Sequence, residues 1–142
     1  MKVVINSCYG GFGLSYKGVM AYAKEKGIKV YAYIDEKYER GTESYLKQTK
    51  IVEFKGKTKE PMAIYYTTKR IKTEADLNTN YFSYRDIARE DPALVKTVEK
   101  LGKEANGSCS DLTIVEIPDD VKWTIDDYDG LESVEEEHRS WN

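Results

Sequence analysis

The stretch NTNYFSYRDIARED, residues 78–91, is denser in ligand-type side chains than any other part of this chain. Tyr81, Phe82 and Tyr84 offer flat faces on which a heterocyclic base can stack. Arg85 and Arg89 carry guanidinium forks that match a phosphate bidentately, and Asn78 or Asn80 can read polar edges. That is chemistry for holding an anionic aromatic ligand, and it precedes a helix start, where anions are favoured. Packing gives a competing account. In it the aromatics lie under the helix, and the arginines pair with Asp86, Glu90 and Asp91. Only five arginines exist, Arg40, Arg70, Arg85, Arg89 and Arg139, so two within this stretch carry weight.

A second candidate is the glycine-rich loop NSCYGGFGLS, residues 6–15. Glycines ahead of a helix expose backbone N–H groups to an anion, with Tyr9, Gly11 and Phe12 as pocket wall. A tight turn that needs positive φ explains the same glycines without a ligand. No lysine follows the last glycine, so this is not a phosphate loop of the G-x-x-x-x-G-K-[ST] kind. The dinucleotide pattern G-x-G-x-x-G begins at Gly11 but meets Tyr16 where its third glycine belongs. Asp35 stands about where a ribose-binding acid would lie, yet the later chain lacks the alternating strands and helices of a doubly wound fold. The loop reads as a turn first and a pocket wall second.

Catalytic groupings are thin. His138 is the single histidine, which excludes multi-histidine metal sites, and nothing positive supports a dyad with Cys8. DDYDG, residues 126–130, fails the D-x-[DN]-x-[DN]-G spacing of a calcium loop and reads as a solvated acidic face. The residues imply neither a cofactor nor a metal, and the chain does not read as an enzyme.

The elements that position these groups follow from pattern. With 142 residues the chain is expected to form one domain. A formal charge of −3 argues against a protein that coats polymeric nucleic acid, while leaving room for a local basic pocket. No run has the length of a membrane span, and MKVVIN enters a strand directly, which reads as no signal peptide. Cys8 and Cys109 are far apart without C-x-x-C spacing, as in a reducing cytoplasm. Twelve tyrosines cluster in YAYIDEKY, AIYYTT and NYFSYRD, suited to half-buried strands, interfaces and ligand platforms alike.

Residues 2–6 predict a buried strand. Ser15 predicts a helix N-cap, and Tyr16, Val19, Met20 and Ala23 the buried stripe of a helix that Gly27 stops. Residues 28–34 return as a strand, so the chain starts β-α-β. Residues 35–48 are polar and are left unassigned between a loose helix and a long excursion. Residues 49–55 and 62–68 predict a central hairpin across GKTKEP, followed by a polar loop. Asp91-Pro92 predicts the second helix, with Leu94, Val98, Leu101 and Ala105 inward and Asn106-Gly107 at its end. Residues 112–117 and 121–126 predict a C-terminal hairpin, and Tyr128-Asp129-Gly130 turns into an acidic segment. The fold class expected is α+β, with a mixed-sheet α/β arrangement as the variant.

Three blocks of the chain resemble a known family. MKVVINSCYGGFGLS, NYFSYRDIAREDPALVKTVEKLGKEANG and LTIVEIPDDVKWTIDDYDGLESVEEEHRSW are similar to the phage proteins called Thoeris anti-defence one. The blocks are long, in order, and cover about half the chain, with residues 35–75 contributing little. The resemblance implies a non-catalytic sponge acting in the cytoplasm of an infected bacterium. Such proteins bind the glycocyclic ADP-ribose isomers, 1″–2′ and 1″–3′, that TIR-domain enzymes make, and release them intact. Some members are hexamers that also hold cyclic trinucleotides at separate sites.

The family's pocket uses an aromatic, polar side chains and arginines contributed across a subunit interface. Phe82 matches that aromatic best, with Tyr81 beside it. Arg85 and Arg89 are assigned to the phosphates by chemistry, with Arg139 in EHRSW as a further basic candidate. Asn106, Tyr9, Gly11 and Phe12 are neighbours by implication. ANGSCS holds small neutral residues where a basic residue is expected in relatives, which puts one phosphate contact in doubt. Stoichiometric removal of a signal needs nanomolar affinity, about −12 kcal/mol. A homodimer or hexamer, with tyrosine-rich strands in its interface, encloses a dianion better than one small domain can. Two readings compete. One is an enzyme that cleaves an ADP-ribose-type nucleotide with Asp86, Glu90 or Asp91 as acid or base. The other is an interaction module whose tyrosines serve packing alone.

Overall fold

Ser15 starts the first helix as its composition requires: its Oγ accepts the Gly18 N–H at 3.0 Å. In the computed structural model, which describes residues 1–35, 50–73 and 75–137, strand β1 (Lys2–Asn6) precedes that helix, α1 (Tyr16–Lys26). Gly27 ends α1 in the left-handed conformation, and its N–H returns to the last turn. The chain then gives β2 (Tyr31–Asp35), β3 (Ile51–Glu53), β4 (Tyr65–Thr67), the short helix α2 (Asp76–Thr79) and β5 (Tyr81–Phe82). A 3-10 turn (Tyr84–Asp86) leads to α3 (Pro92–Leu101), capped by the Asp91 carboxylate on the Ala93 N–H at 2.9 Å. Strands β6 (Leu112–Glu116), β7 (Trp123–Tyr128) and β8 (Leu131–Glu136) complete an α+β fold. Among the described residues no helix is long and apolar enough to cross a membrane.

The chain forms two compact units, residues 1–27 with 84–142, and residues 28–83. In the first, β1 pairs antiparallel with β6 in the register Val4↔Ile114, and β7 pairs with β8. Val3, Val4, Val19, Leu94 and Val98 make its core, with Leu94 and the first three at or near zero exposure. One carboxylate joins the two long helices: Asp91 accepts the Tyr22 hydroxyl at 2.8 Å and the Lys26 ammonium at 3.0 Å. In the second unit the strand order is β3-β2-β4-β5, all antiparallel, over Ala32, Tyr33, Phe54, Tyr66 and Leu77.

Two expected pairings are corrected. Residues 49–55 and 62–68 do not form a hairpin, because β2 lies between β3 and β4 and pairs with both. Ala32 and Tyr33 point to opposite faces of β2 and are both buried, which suits a central strand. The C-terminal hairpin joins β7 to β8, not 112–117 to 121–126, since β6 pairs with β1 instead. The physical reason lies at Asp129-Gly130, where both residues have positive φ, 54° and 91°. That is the two-residue turn whose twist matches paired strands. The acidic segment after it is therefore strand β8, and the polar loop after residue 68 contains α2. The unassigned residues from 36 to 48 lie outside the described residues.

Candidate functional site

In the first unit the glycine-rich loop runs from the end of β1 into α1. Asn6 organises it from a fully buried position. Its Nδ2 donates to the carbonyls of Cys8 and Gly130, both at 2.7 Å, and its Oδ1 accepts the Asp111 N–H at 2.8 Å. One side chain thus fastens the loop to the 107–111 segment and to the β7–β8 turn. Gly10 and Gly130 are needed for closeness. A Cβ on Gly10 would lie 1.7 Å from the Cys109 carbonyl oxygen, and one on Gly130 would lie 2.5 Å from the Tyr9 oxygen. Gly13 O accepts both the Gly107 N–H and the Ser110 hydroxyl, at 3.1 and 2.8 Å.

Arg89 fills the space behind this loop. Its guanidinium carbon stands 3.6 Å from the Phe12 ring centroid, a cation–π stack. Nη1 and Nη2 grip the two oxygens of Glu132 at 2.6 and 2.9 Å, and Nη1 also donates to the Val4 carbonyl. The Glu132 side chain is only 5 % exposed and also accepts the Asn6 N–H at 2.8 Å. Burial pushes its acidity the other way, yet the Arg89 and Asn6 hydrogen bonds hold this carboxyl below the ordinary glutamate range. Tyr84 tilts against Phe12, ring centroids 6.1 Å apart.

The candidate residues therefore separate. Phe12 and Arg89 come together in the first unit, with Gly11 and the 64 % exposed Tyr9 beside Phe12 in the same loop. Gly11 has φ 95° and open space around it, as a turn requires. Asn106 bridges Leu14 and accepts the Leu112 N–H at 2.8 Å, so it braces the segment that follows α3. Arg85 is exposed in the 3-10 turn. Tyr81 and Phe82 belong to the second unit, in edge strand β5, where Thr67↔Tyr81 and Tyr66↔Phe82 put them on opposite faces. Tyr81 is 62 % exposed and Phe82 half-buried. Arg139 and His138 lie outside the described residues.

Asn6 and Glu132 were missed by reading the sequence. For Asn6 a signal existed, since a polar residue closing the apolar run VVI must satisfy itself in the core. Glu132 stood in a run that read as solvated charge and had no local signal.

Among the described residues the carboxylates with a shifted pKa are Glu25, Asp76, Asp91, Asp119 and Glu132, and each pKa is lowered. Groups held ionised in this way suit bracing rather than proton donation. Asp91 illustrates it: burial raises its pKa, but Lys26, the Ala93 N–H and Tyr22 together bring the carboxyl below its usual range. Among the described residues no cluster of three His, Cys, Asp or Glu could hold a metal ion. Comparison with models of known protein families, with curated proteins and with solved structures gives no match.

Proposed function

We propose that this chain binds glycocyclic ADP-ribose signals and sequesters them without cleavage, as an anti-Thoeris sponge of phage origin in the bacterial cytoplasm. The observation that carries the reading is the Phe12–Arg89 stack at the glycine-rich loop. It puts an aromatic ring and a guanidinium, partners for a base and a phosphate, inside two of the three sequence blocks that resemble the family. Exposed Tyr9, in the same loop as Phe12, adds a stacking face of the kind a purine requires. Of the carboxylates that could act as a catalytic acid, Asp91 is held below its usual pKa range, which disfavours it as a proton donor to a bound ligand. Enclosure tight enough for a sponge requires more than one subunit, so a homodimer or hexamer belongs to the proposal.

Titration calorimetry with both glycocyclic isomers, followed by heat denaturation and mass analysis of the ligand, tests it. Nanomolar binding with intact ligand recovered is the expected result. Recovered fragments would make the chain an enzyme. No heat at tens of micromolar protein, with the cyclic trinucleotides tried as well, would overturn the binding reading.

A further inference from the structure

A guanidinium has five N–H groups in a fixed plane. In Arg89 one N–H of each Nη goes to Glu132, and the second N–H of Nη1 goes to Val4 O at 3.3 Å. The Nε–H and the remaining Nη2–H lie side by side on the other edge. Among the described residues neither has an acceptor. The described residues also hold no buried side-chain nitrogen or oxygen without a partner, so solvent reaches this Nε. The plane of the group is fixed by Phe12 beneath it, and its rotation within that plane by the nearly buried Glu132.

We propose that the Nε–Nη2 edge of Arg89 is a preorganised seat for one phosphate group, and that Glu132 is its positioning residue. Two parallel N–H donors in a rigid fork fit two oxygens of a phosphate, with no side-chain freedom left to lose on binding. Glu132 offsets the charge of Arg89, so recognition rests on hydrogen-bond geometry rather than net attraction. The salt dependence of binding is correspondingly shallow. The same phosphate chemistry is offered by free pyrophosphate and by a nucleotide. That the source is a nucleotide rests on the proposed function; the seat itself is tested apart from it.

The experiment is an arginine side-chain ¹H–¹⁵N spectrum of the full chain, titrated with sodium pyrophosphate and separately with ADP-ribose. The Arg89 Nε–H is identified by its contacts to Phe12 ring protons, so no variant is needed. A saturable shift of that resonance is expected with both probes, and Arg89→Lys should lose about ten-fold or more in affinity. ADP-ribose binding about ten-fold tighter than pyrophosphate supports a nucleotide source; equal affinities support a free-phosphate seat. Glu132→Gln should weaken pyrophosphate binding and steepen its salt dependence, whereas a gain in affinity would overturn the positioning role. An unmoved Nε–H with both probes at millimolar concentration would overturn the seat. Undiminished binding of glycocyclic ADP-ribose by Arg89→Lys would overturn the nucleotide as the source of the seated phosphate and leave the proposed function standing. A pyrophosphate-induced shift in a protein that ignores the glycocyclic isomers would overturn the proposed function and leave the seat standing.

Discussion

Gly10 faces the backbone carbonyl of Cys109 so closely that a methyl group there would stand 1.7 Å from the oxygen. Gly11, one residue on, has nothing within 4 Å of such a methyl but carries a φ of 95°. Two adjacent glycines are thus required for different reasons, one by approach and the other by backbone conformation. Gly10→Ala should force the two segments apart and cost about 3 kcal/mol. Gly11→Ala should leave the neighbours in place and cost about 1–2 kcal/mol of backbone strain. Urea denaturation of the two variants measures both, and equal losses would contradict the distinction.

Glu132→Ala leaves Arg89 without its counter-charge and Asn6 without its acceptor. Breaking one side of a buried pair typically costs about 3–5 kcal/mol, so this variant should be among the least stable point changes in the chain. Replacing Arg89 and Glu132 together by Met and Leu should recover a large part of that loss. A double variant no more stable than Glu132→Ala would show that the pair does not act as a unit.

Acid sensitivity follows from the same carboxylate. Its folded pKa lies below the ordinary value of 4.5, and that of Asp91 lies below 3.8. Between those values and the folded ones the unfolded chain binds more protons, so stability rises with pH there. The contribution is fully present above pH 4.5 and is lost as pH falls through the folded values. Stability measured against pH should drop on that side, and Glu132→Gln should flatten the curve by removing one titrating group.

Tyr22 gives the alkaline counterpart. Burial, followed by the Asp91 hydrogen bond and charge, pushes its hydroxyl from 10.0 up to about 12. The folded chain keeps that proton where the unfolded chain releases it, so stability is full below pH 10 and declines toward pH 12. Tyr22→Phe should remove this part of the decline at a cost near 1 kcal/mol at neutral pH from the lost hydrogen bond. An unchanged alkaline profile would place the sensitivity elsewhere.

Tyr81 and Phe82 face opposite sides of β5, so each can be varied without the other. Tyr81→Ala removes a 62 % exposed ring and should change stability by about 0.5 kcal/mol or less. Phe82→Ala is expected to abolish binding of glycocyclic ADP-ribose while the chain stays folded by circular dichroism. Retained affinity in Phe82→Ala would move the aromatic contact to Tyr81 or to the glycine-rich loop.

Much of the local structure was legible because its causes are local. Ser15, Gly27 and Asp91-Pro92 act on backbone groups within four residues of themselves, and each does in the structure what its type requires. The Asp129-Gly130 turn was equally legible, and weighting its hairpin signal over PDD would have found the β7–β8 pair. The pairing of β2 with both β3 and β4 was not, because strand order is set by which faces are buried.

The candidate site divides along the same line. Sequence alone determined that a glycine-rich turn precedes α1, that aromatic and arginine side chains gather in residues 78–91, and where the two long helices begin. These depend on backbone sterics and near-neighbour hydrogen bonds, which the residue types carry with them. Only the tertiary structure decided that Arg89 stacks on Phe12 and pairs with Glu132, residues far away on either side in the chain. It alone decided that Tyr81 and Phe82 sit on opposite faces of an edge strand, and that Asn6 ties three segments together. Such contacts are chosen by the burial of charge and polar groups, and a buried carboxylate takes whichever cation the fold brings within reach.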